Sequence, residues 1–185
     1  MRGTINICQP GYGASCALCC GSHNIAGGRA AMLVEFARRA ALFGARGAET
    51  EGAMVQPPMP MPAEHPSGPA LHDDAIRCPL AGFIDADRTL VGCLAYSRPP
   101  ESDAARGFFE RTCRTFSCPA RETLDDSETL FAARLTGDWY YYGLLINSIP
   151  LLRELIHSHG VPENVPERRL RAVKNRLEAM IVTPG

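Results

Sequence analysis

The chain has 185 residues, of which 45% are hydrophobic and 21% are charged, a composition typical of a folded globular protein rather than a disordered one. Its formal net charge of −1 gives no electrostatic basis for binding nucleic acid or an anionic membrane surface. The chain is long enough to bury a core without covalent staples, so its eight cysteines are the compositional feature that needs a chemical explanation.

The N-terminal stretch MRGTINICQPG lacks the features of a secretory signal, because it has no apolar segment and no small-residue cleavage site. The most apolar later stretch, Trp139 to Ile156, contains Asn147, Pro150 and Arg153, which argues against a membrane span. We therefore expect a soluble cytoplasmic protein without membrane association. In that compartment cysteines stay reduced and serve metal binding or catalysis rather than structural disulfides.

The first predicted element is a helix over about residues 25–44, AGGRAAMLVEFARRAALFG. Leu33, Ala37, Ala40 and Ala41 recur at helical spacing and predict its buried face, whereas Arg39 lies largely off that stripe. The helix precedes a proline-rich segment, residues 56–69, whose composition excludes a helix or an inner strand and predicts a connecting loop.

Two further elements are predicted before the C-terminal third of the chain. The stretch FIDADRTLVGCLAY predicts a short β-hairpin around Asp87 and Arg88, with apolar residues on both flanks. The segment from Pro100 to Phe116 favours a helix with a phenylalanine-rich apolar side.

The C-terminal third is predicted to be helical in several pieces. Asp125, followed three residues later by Glu128, fits a capping box at a helix N-terminus. Gly137 and Pro150 predict breaks within the long apolar segment that follows. A last helix is predicted over about residues 166–182.

These elements predict a mainly α fold with little β structure, in which a helical body carries an irregular cysteine-rich metal-binding lobe. We expect the cysteine-cluster region to cover residues 1–118. We expect the C-terminal helical region, residues 119–185, to pack on it as one compact unit.

The stretch SCALCCGSHN places Cys16, Cys19 and Cys20 within five positions, and three explanations compete. A redox disulfide of the C-x-x-C type needs a preceding strand, whereas INICQPGYGA has the proline and glycines of a turn. Burial as small apolar side chains does not explain three cysteines so close together beside Gly and Ser. A metal site is favoured, because C-x-x-C lets two thiolates reach one metal centre. Zinc ribbons usually carry two such pairs, so a single pair followed by isolated cysteines favours an iron–sulfur cluster, with zinc as the alternative.

Three later motifs follow in order: RCPLAGFID with Cys78, VGCLAYSRPP with Cys93, and TCRTFSC with Cys113. Together with C-x-x-C-C, this order resembles the zinc- or iron-chelating cysteine-cluster family, whose first motif is C-x-x-C-x-x-C-C. The resemblance covers roughly residues 8 to 118, although seven residues separate Cys8 from Cys16 where the family has two. A related domain occurs in flagellin lysine-N-methylases.

The resemblance implies a set of six candidate metal ligands: Cys16, Cys19, Cys20, Cys78, Cys93 and Cys113. It also implies that Arg98 and Arg114 face the thiolates and offset their negative charge. Cys8, Cys118 and His23 are additional candidate ligands. Asn24, directly after His23, is expected to cap the helix that follows.

The aromatic run Trp139-Tyr140-Tyr141-Tyr142 has two explanations. Packing in the core is the expected one. An exposed partner surface is the alternative.

These observations lead to the hypothesis of a cytoplasmic metal-binding protein that holds an iron–sulfur cluster, of the 4Fe–4S type, through clustered cysteines. The cluster would serve electron transfer, redox sensing, or the support of a protein-modification or maturation reaction. The alternative is a structural zinc-binding adaptor for protein interactions, and a third hypothesis is an enzyme with Cys20 as a thiolate nucleophile. We expect a protein or redox partner and no nucleic acid.

Overall fold

The computed structural model describes residues 4–48, 69–94, 110, 113 and 116–182. Within these residues the chain forms six α-helices and one two-stranded sheet, which confirms the mainly α class with little β structure. The chain divides into two compact units. We call them the helical unit, Met1–Leu18 with Ser117–Gly185, and the hairpin unit, Cys19–Phe116.

This division groups the first eighteen residues with the C-terminal helices, whereas the sequence analysis drew one boundary after residue 118. The helical unit is thus built from two separate stretches of the chain. That the cysteine-rich and helical regions pack as one compact unit stays a prediction.

The hairpin unit contains helix α1 (Gly28–Ala48) and strands β1 (Ala81–Phe83) and β2 (Val91–Cys93). The strands are antiparallel, with Ala81 opposite Cys93 and Phe83 opposite Val91. The carboxylate of Asp85 accepts hydrogen bonds from the backbone N–H groups of Thr89 and Leu90, which tightens the connecting turn. The hairpin predicted around Asp87 and Arg88 is therefore confirmed.

The predicted buried face of α1 is wrong. The helix buries Met32, Phe36 and Arg39, while Leu33 is 39% exposed and Ala41 is also exposed. The ring of Phe36 meets the ring of Phe83 on β1 edge to face, with centroids 5.9 Å apart. The larger side chains at positions 32 and 36 therefore decide which face of α1 packs on the hairpin, rather than the alanine-rich stripe beside them.

The helical unit contains the other five described helices and a 3₁₀ turn, Pro162–Asn164. A 3₁₀ turn at Leu18–Cys20 crosses the boundary between the units. The helices are α2 (Pro119–Thr123), α3 (Asp126–Thr136), α4 (Trp139–Asn147), α5 (Ile149–His159) and α6 (Glu167–Val182).

Local sequence signals set the ends of these helices. Asp125 and Glu128 form the predicted capping box at the start of α3. Gly137 ends α3 in the left-handed conformation, with φ of 61°, and the next residue, Asp138, caps α4. Pro150 lies in the first turn of α5, where a proline is tolerated. The breaks predicted at Gly137 and Pro150 are confirmed.

The core of the helical unit is built on α4, α5 and α6. Its fully buried side chains include Tyr142, Leu145, Leu152, Leu155 and Leu177. Three members of the aromatic run are buried, Trp139, Tyr140 and Tyr142, so the expected core packing of that run is confirmed. Within the described residues, no helix combines the length and hydrophobicity needed to cross a bilayer.

Two contacts tie the N-terminal segment to the helices of this unit. The carboxylate of Asp126 accepts hydrogen bonds from Thr4 and from the backbone N–H of Ile5. The buried hydroxyl of Tyr142 donates to the carbonyl oxygen of Ile7 at 2.8 Å. These bonds fix the stretch that leads into Cys8.

Replacing Tyr142 by Phe removes that hydroxyl and leaves the Ile7 carbonyl without its buried donor. We expect the free energy of unfolding to fall by about 1–3 kcal/mol. Tyr141→Phe is the matched control, because the Tyr141 hydroxyl bonds to the Glu178 carboxylate at an exposed site. Urea denaturation of both variants tests this, and an equal loss in the two would contradict the anchoring role of Tyr142.

Candidate metal centre

Five cysteines of the hairpin unit form what we call the thiol cluster: Cys19, Cys20, Cys78, Cys93 and Cys113. The backbone N–H of Cys78 donates to the carbonyl of Cys20 at 2.9 Å, which joins the 3₁₀ turn to the segment before β1. Cys93 ends β2 opposite Ala81, and Ala81 follows Cys78 by three residues. The hairpin therefore brings Cys93 to the same end of the sheet as Cys78.

Gly21 allows this close approach of two chain segments. Its φ is 72°, and a Cβ atom at this position would lie 1.6 Å from the carbonyl oxygen of Ile76 and 3.1 Å from the Cα of Arg77. Both contacts are to backbone, which cannot move aside as a flexible side chain can. Glycine is therefore required here by space as well as by conformation.

A buried arginine supports the segment that carries Cys78. Arg39 of α1 is 5% exposed, and its Nη1 donates to the carbonyl oxygens of Cys78 at 2.8 Å and Ala81 at 2.9 Å. Its Nε donates to Glu35 at 2.7 Å. Burial alone would raise the pKa of Glu35, but the hydrogen bonds from Arg38 and Arg39 outweigh it and lower the pKa to about 2. The buried charge of Arg39 is thus paired, and it ties α1 to the turn beside the thiol cluster.

Asn24 connects the start of the unit to the segment before Cys78. Its side chain accepts from the backbone N–H of His72 and donates to the carbonyls of His72 and Ala75. The prediction that Asn24 caps the following helix is therefore wrong, because the side chain satisfies a distant loop and α1 begins only at Gly28. This bridge was invisible to the sequence analysis, since its partners lie about fifty residues away.

The pKa values of Cys19 and Cys20 are shifted in opposite directions. The pKa of Cys19 is lowered to about 7, chiefly by the hydrogen bond with the Cys20 thiol, with help from backbone N–H groups and against the effect of burial. The pKa of Cys20 is raised by that same bond, by burial, and by the negative charges of Cys19, Cys78 and Cys93. The hydrogen bond thus favours the thiolate on Cys19 in the metal-free chain. The hypothesis of Cys20 as a nucleophile stays a hypothesis.

In the rest of the thiol cluster, the ionisation of each thiol is opposed by the thiolates around it. Burial raises the pKa of Cys78 to about 11, and the thiolates of Cys93 and Cys113 add to that rise while Arg39 opposes it. The pKa of Cys113 is raised by desolvation and by the thiolates of Cys93 and Cys19. The pKa values of Cys78 and Cys113 each depend on two other thiolates, so these sulfurs lie within electrostatic range of one another.

The helical unit holds the remaining three cysteines, Cys8, Cys16 and Cys118. Burial raises the pKa of the Tyr142 phenol, and the negative charges that these three cysteines gain on ionisation raise it further. Cys16 is thus grouped with Cys8 in the helical unit, although only two residues separate it from Cys19 in sequence. Its place among the ligands implied by the resemblance stays a prediction.

The other predicted site residues have mixed outcomes. His23 is buried, and its Nδ1 shares a 2.9 Å hydrogen bond with the Ser22 hydroxyl. Arg98 and Arg114 lie outside the described residues. Arg39, which the sequence analysis placed off the buried face, is a buried cation beside Cys78. Three further arginines lie on the same helix, and no sequence signal distinguished Arg39 from them.

The donor set suits a thiophilic metal, because it offers several cysteine sulfurs and a nearby paired cation. Within the described part of the chain, no group of three or more His, Cys, Asp or Glu side chains is arranged as the ligands of a single ion. All eight cysteines are present as reduced thiols. Comparison with family models, curated proteins and solved structures gave no match for this chain.

The Gly21 contact generates a stability prediction. Gly21→Ala forces a Cβ into the Ile76 carbonyl, so we expect a loss clearly larger than the about 1–2 kcal/mol of left-handed strain alone. Gly28→Ala is the matched control, since Gly28 has a similar φ of 67° but no atom within 4 Å of an added Cβ. Urea denaturation and the reactivity of the buried Cys78 thiol toward a disulfide reagent measure the effect. Equal behaviour of the two variants would contradict it.

The Cys19–Cys20 bond generates a pH prediction for the metal-free protein. Because the pKa of Cys19 is lowered, its alkylation by iodoacetamide is expected to reach half its maximal rate near pH 7. Cys20→Ala removes the donor, so the midpoint is expected to move upward, toward the ordinary value of 9.0. Mass spectrometry of the modified peptide follows the rate. A midpoint that stays in place in Cys20→Ala would show that another group stabilises the thiolate.

Proposed function

We propose that the protein binds an iron–sulfur cluster through the thiol cluster of the hairpin unit. The observation that supports this most directly is the mutual electrostatic effect of Cys20, Cys78, Cys93 and Cys113, which come from separate parts of the unit. When they ionise, the thiolates gathered from a 3₁₀ turn, the turn before β1 and the end of β2 repel one another. A cationic centre turns that repulsion into attraction.

The same electrostatics define what metal binding does to the thiols. Without a metal, burial and neighbouring thiolates keep Cys20, Cys78 and Cys113 protonated near neutral pH. Binding of a thiophilic centre therefore releases protons, and the affinity rises with pH as the thiols ionise. The pKa of Cys19 is lowered to about 7, so a large part of this residue is thiolate near neutral pH and it is the natural first ligand.

Iron–sulfur chemistry is preferred to a lone zinc ion because of the number and spacing of the donors. The thiol cluster has no complete C-x-x-C pair, because Cys16 belongs to the helical unit, whereas zinc ribbons usually have two such pairs. The five thiols exceed the four that a cubane needs, so one of them can serve as a neighbour rather than a ligand. When bound, such a cluster supplies one-electron redox chemistry.

The exposure of the cluster supports electron transfer, redox sensing or support of a protein-modification reaction. Cys19 and Cys113 are exposed, while Cys78 is buried. A centre held by such residues would lie partly covered yet within reach of a protein or redox partner. We propose the cytoplasm as the compartment, because the thiols that the function requires stay reduced there.

Metal analysis tests the proposal. Protein purified without oxygen is expected to be brown and to contain iron and acid-labile sulfide in similar amounts. Cys78→Ser is expected to lose most of both, because Cys78 is the buried member joined to Cys20 by a backbone bond. Cys118→Ser is the matched control, since Cys118 belongs to the helical unit.

Two outcomes would contradict the proposal. Colourless protein with stoichiometric zinc and no sulfide would support the structural adaptor instead. Equal metal loss in Cys78→Ser and Cys118→Ser would show that the thiol cluster is not the site.

A further inference from the structure

We infer that Cys8 and Cys16 form a modification site of their own, a reversible disulfide that closes the loop between them in the helical unit. This inference is independent of the proposed metal centre, whose residues all lie in the hairpin unit.

The backbone already holds the two residues at a suitable separation. The N–H of Cys16 donates to the carbonyl of Cys8 at 2.9 Å. With standard backbone bond lengths, this bond keeps the two Cα atoms no more than about 6.8 Å apart, within the range of about 4.4–6.8 Å that disulfides require. A disulfide between Cys8 and Cys16 therefore needs no large movement of the chain.

The loop between the two cysteines folds back on itself. Gly11 and Ala14 form an isolated antiparallel bridge, and the Ala14 N–H donates to the Gly11 carbonyl at 3.0 Å. Gly11, Tyr12 and Gly13 all have positive φ, which makes the tight turn at the tip. The turn directs the chain back so that Cys16 returns to Cys8.

A buried side chain of α4 supports the start of the loop. The Tyr142 phenol donates to the carbonyl of Ile7, the residue before Cys8. Burial raises the pKa of this phenol, and the negative charges of ionised Cys16, Cys8 and Cys118 raise it further, so all three cysteines lie within electrostatic range of it.

Exposure decides the order of the chemistry. Cys8 is exposed, whereas Cys16 is half-buried and its Sγ accepts from the backbone N–H of Leu18 at 3.5 Å. Cys8 therefore reacts first with an oxidant from solvent.

The oxidant is a peroxide. The Cys8 thiolate attacks one peroxide oxygen, the O–O bond breaks, and the leaving hydroxide takes up a proton to become water. The Cys16 thiolate then displaces hydroxide from the Cys8 sulfenic acid, so that two thiols and one hydrogen peroxide give one disulfide and two waters.

Peptide mapping after oxidation tests the inference on the full-length protein as purified. Chymotrypsin cleaves after Tyr12, which is 62% exposed and lies between the two cysteines. After peroxide treatment the two fragments are expected to remain linked through Cys8 and Cys16, and to separate when dithiothreitol is added. Tandem mass spectrometry assigns the bond to Cys16 rather than to Cys19 or Cys20 in the same fragment.

The variants make the outcome decisive. Cys8→Ser and Cys16→Ser are expected to lose the linked species, and Cys118→Ser to retain it. Linkage of Cys8 to Cys118, or no Cys8 linkage at a peroxide dose that oxidises other cysteines, would overturn the inference. Linkage that appears only after iron is removed would also overturn it, because Cys16 would then be a metal ligand. Failure of the metal analysis alone leaves this result unaffected.

Discussion

The hairpin unit depends on the close approach of Gly21 to the backbone of Ile76 and Arg77. Because no side chain separates the two segments, the next residues can form the hydrogen bond between Cys78 and Cys20. Two side chains support the same segment. Asn24 bonds to the backbone before Cys78, and Arg39 donates to the carbonyls of Cys78 and Ala81. The approach of Gly21 to the backbone of Ile76 and Arg77 thus sets the separation of Cys20 and Cys78, and the surrounding hydrogen bonds maintain it.

Electrostatics give the two groups of cysteines different properties. In the thiol cluster, the hydrogen bond between Cys19 and Cys20 favours the negative charge on Cys19 and the proton on Cys20, and each further thiolate opposes ionisation of the next one. In the helical unit, the common neighbour of the cysteines is a neutral buried phenol, Tyr142, whose own ionisation they oppose. The first arrangement favours a cationic partner that neutralises several thiolates at once. The second joins Cys8 and Cys16 through a backbone hydrogen bond.

Features that depend on neighbours in sequence were predictable. The capping box at Asp125, the break at Gly137 and the hairpin around Asp87 each follow from a few adjacent residues, and the structure has all three. The buried face of α1 was not predictable, because the alanine-rich stripe and the Met32–Phe36 face have the same period and only packing against Phe83 separates them. Arg39 looked like a solvated residue for a related reason: its partners are backbone carbonyls, which no sequence pattern reveals.

The division of Cys16 from Cys19 shows why spacing alone does not assign ligands. C-x-x-C indicates that two thiols can reach one metal, but it does not say that they do, because the chain can turn between them. Here the 3₁₀ turn Leu18–Cys20 crosses the boundary between the two units, and Cys16 makes its backbone contact with Cys8. A motif that is continuous in sequence thus contributes to two groups of cysteines. The physical basis for assigning a cysteine to either group is the set of chain segments that its backbone bonds hold together, which for Cys20 includes Cys78 and for Cys16 includes Cys8.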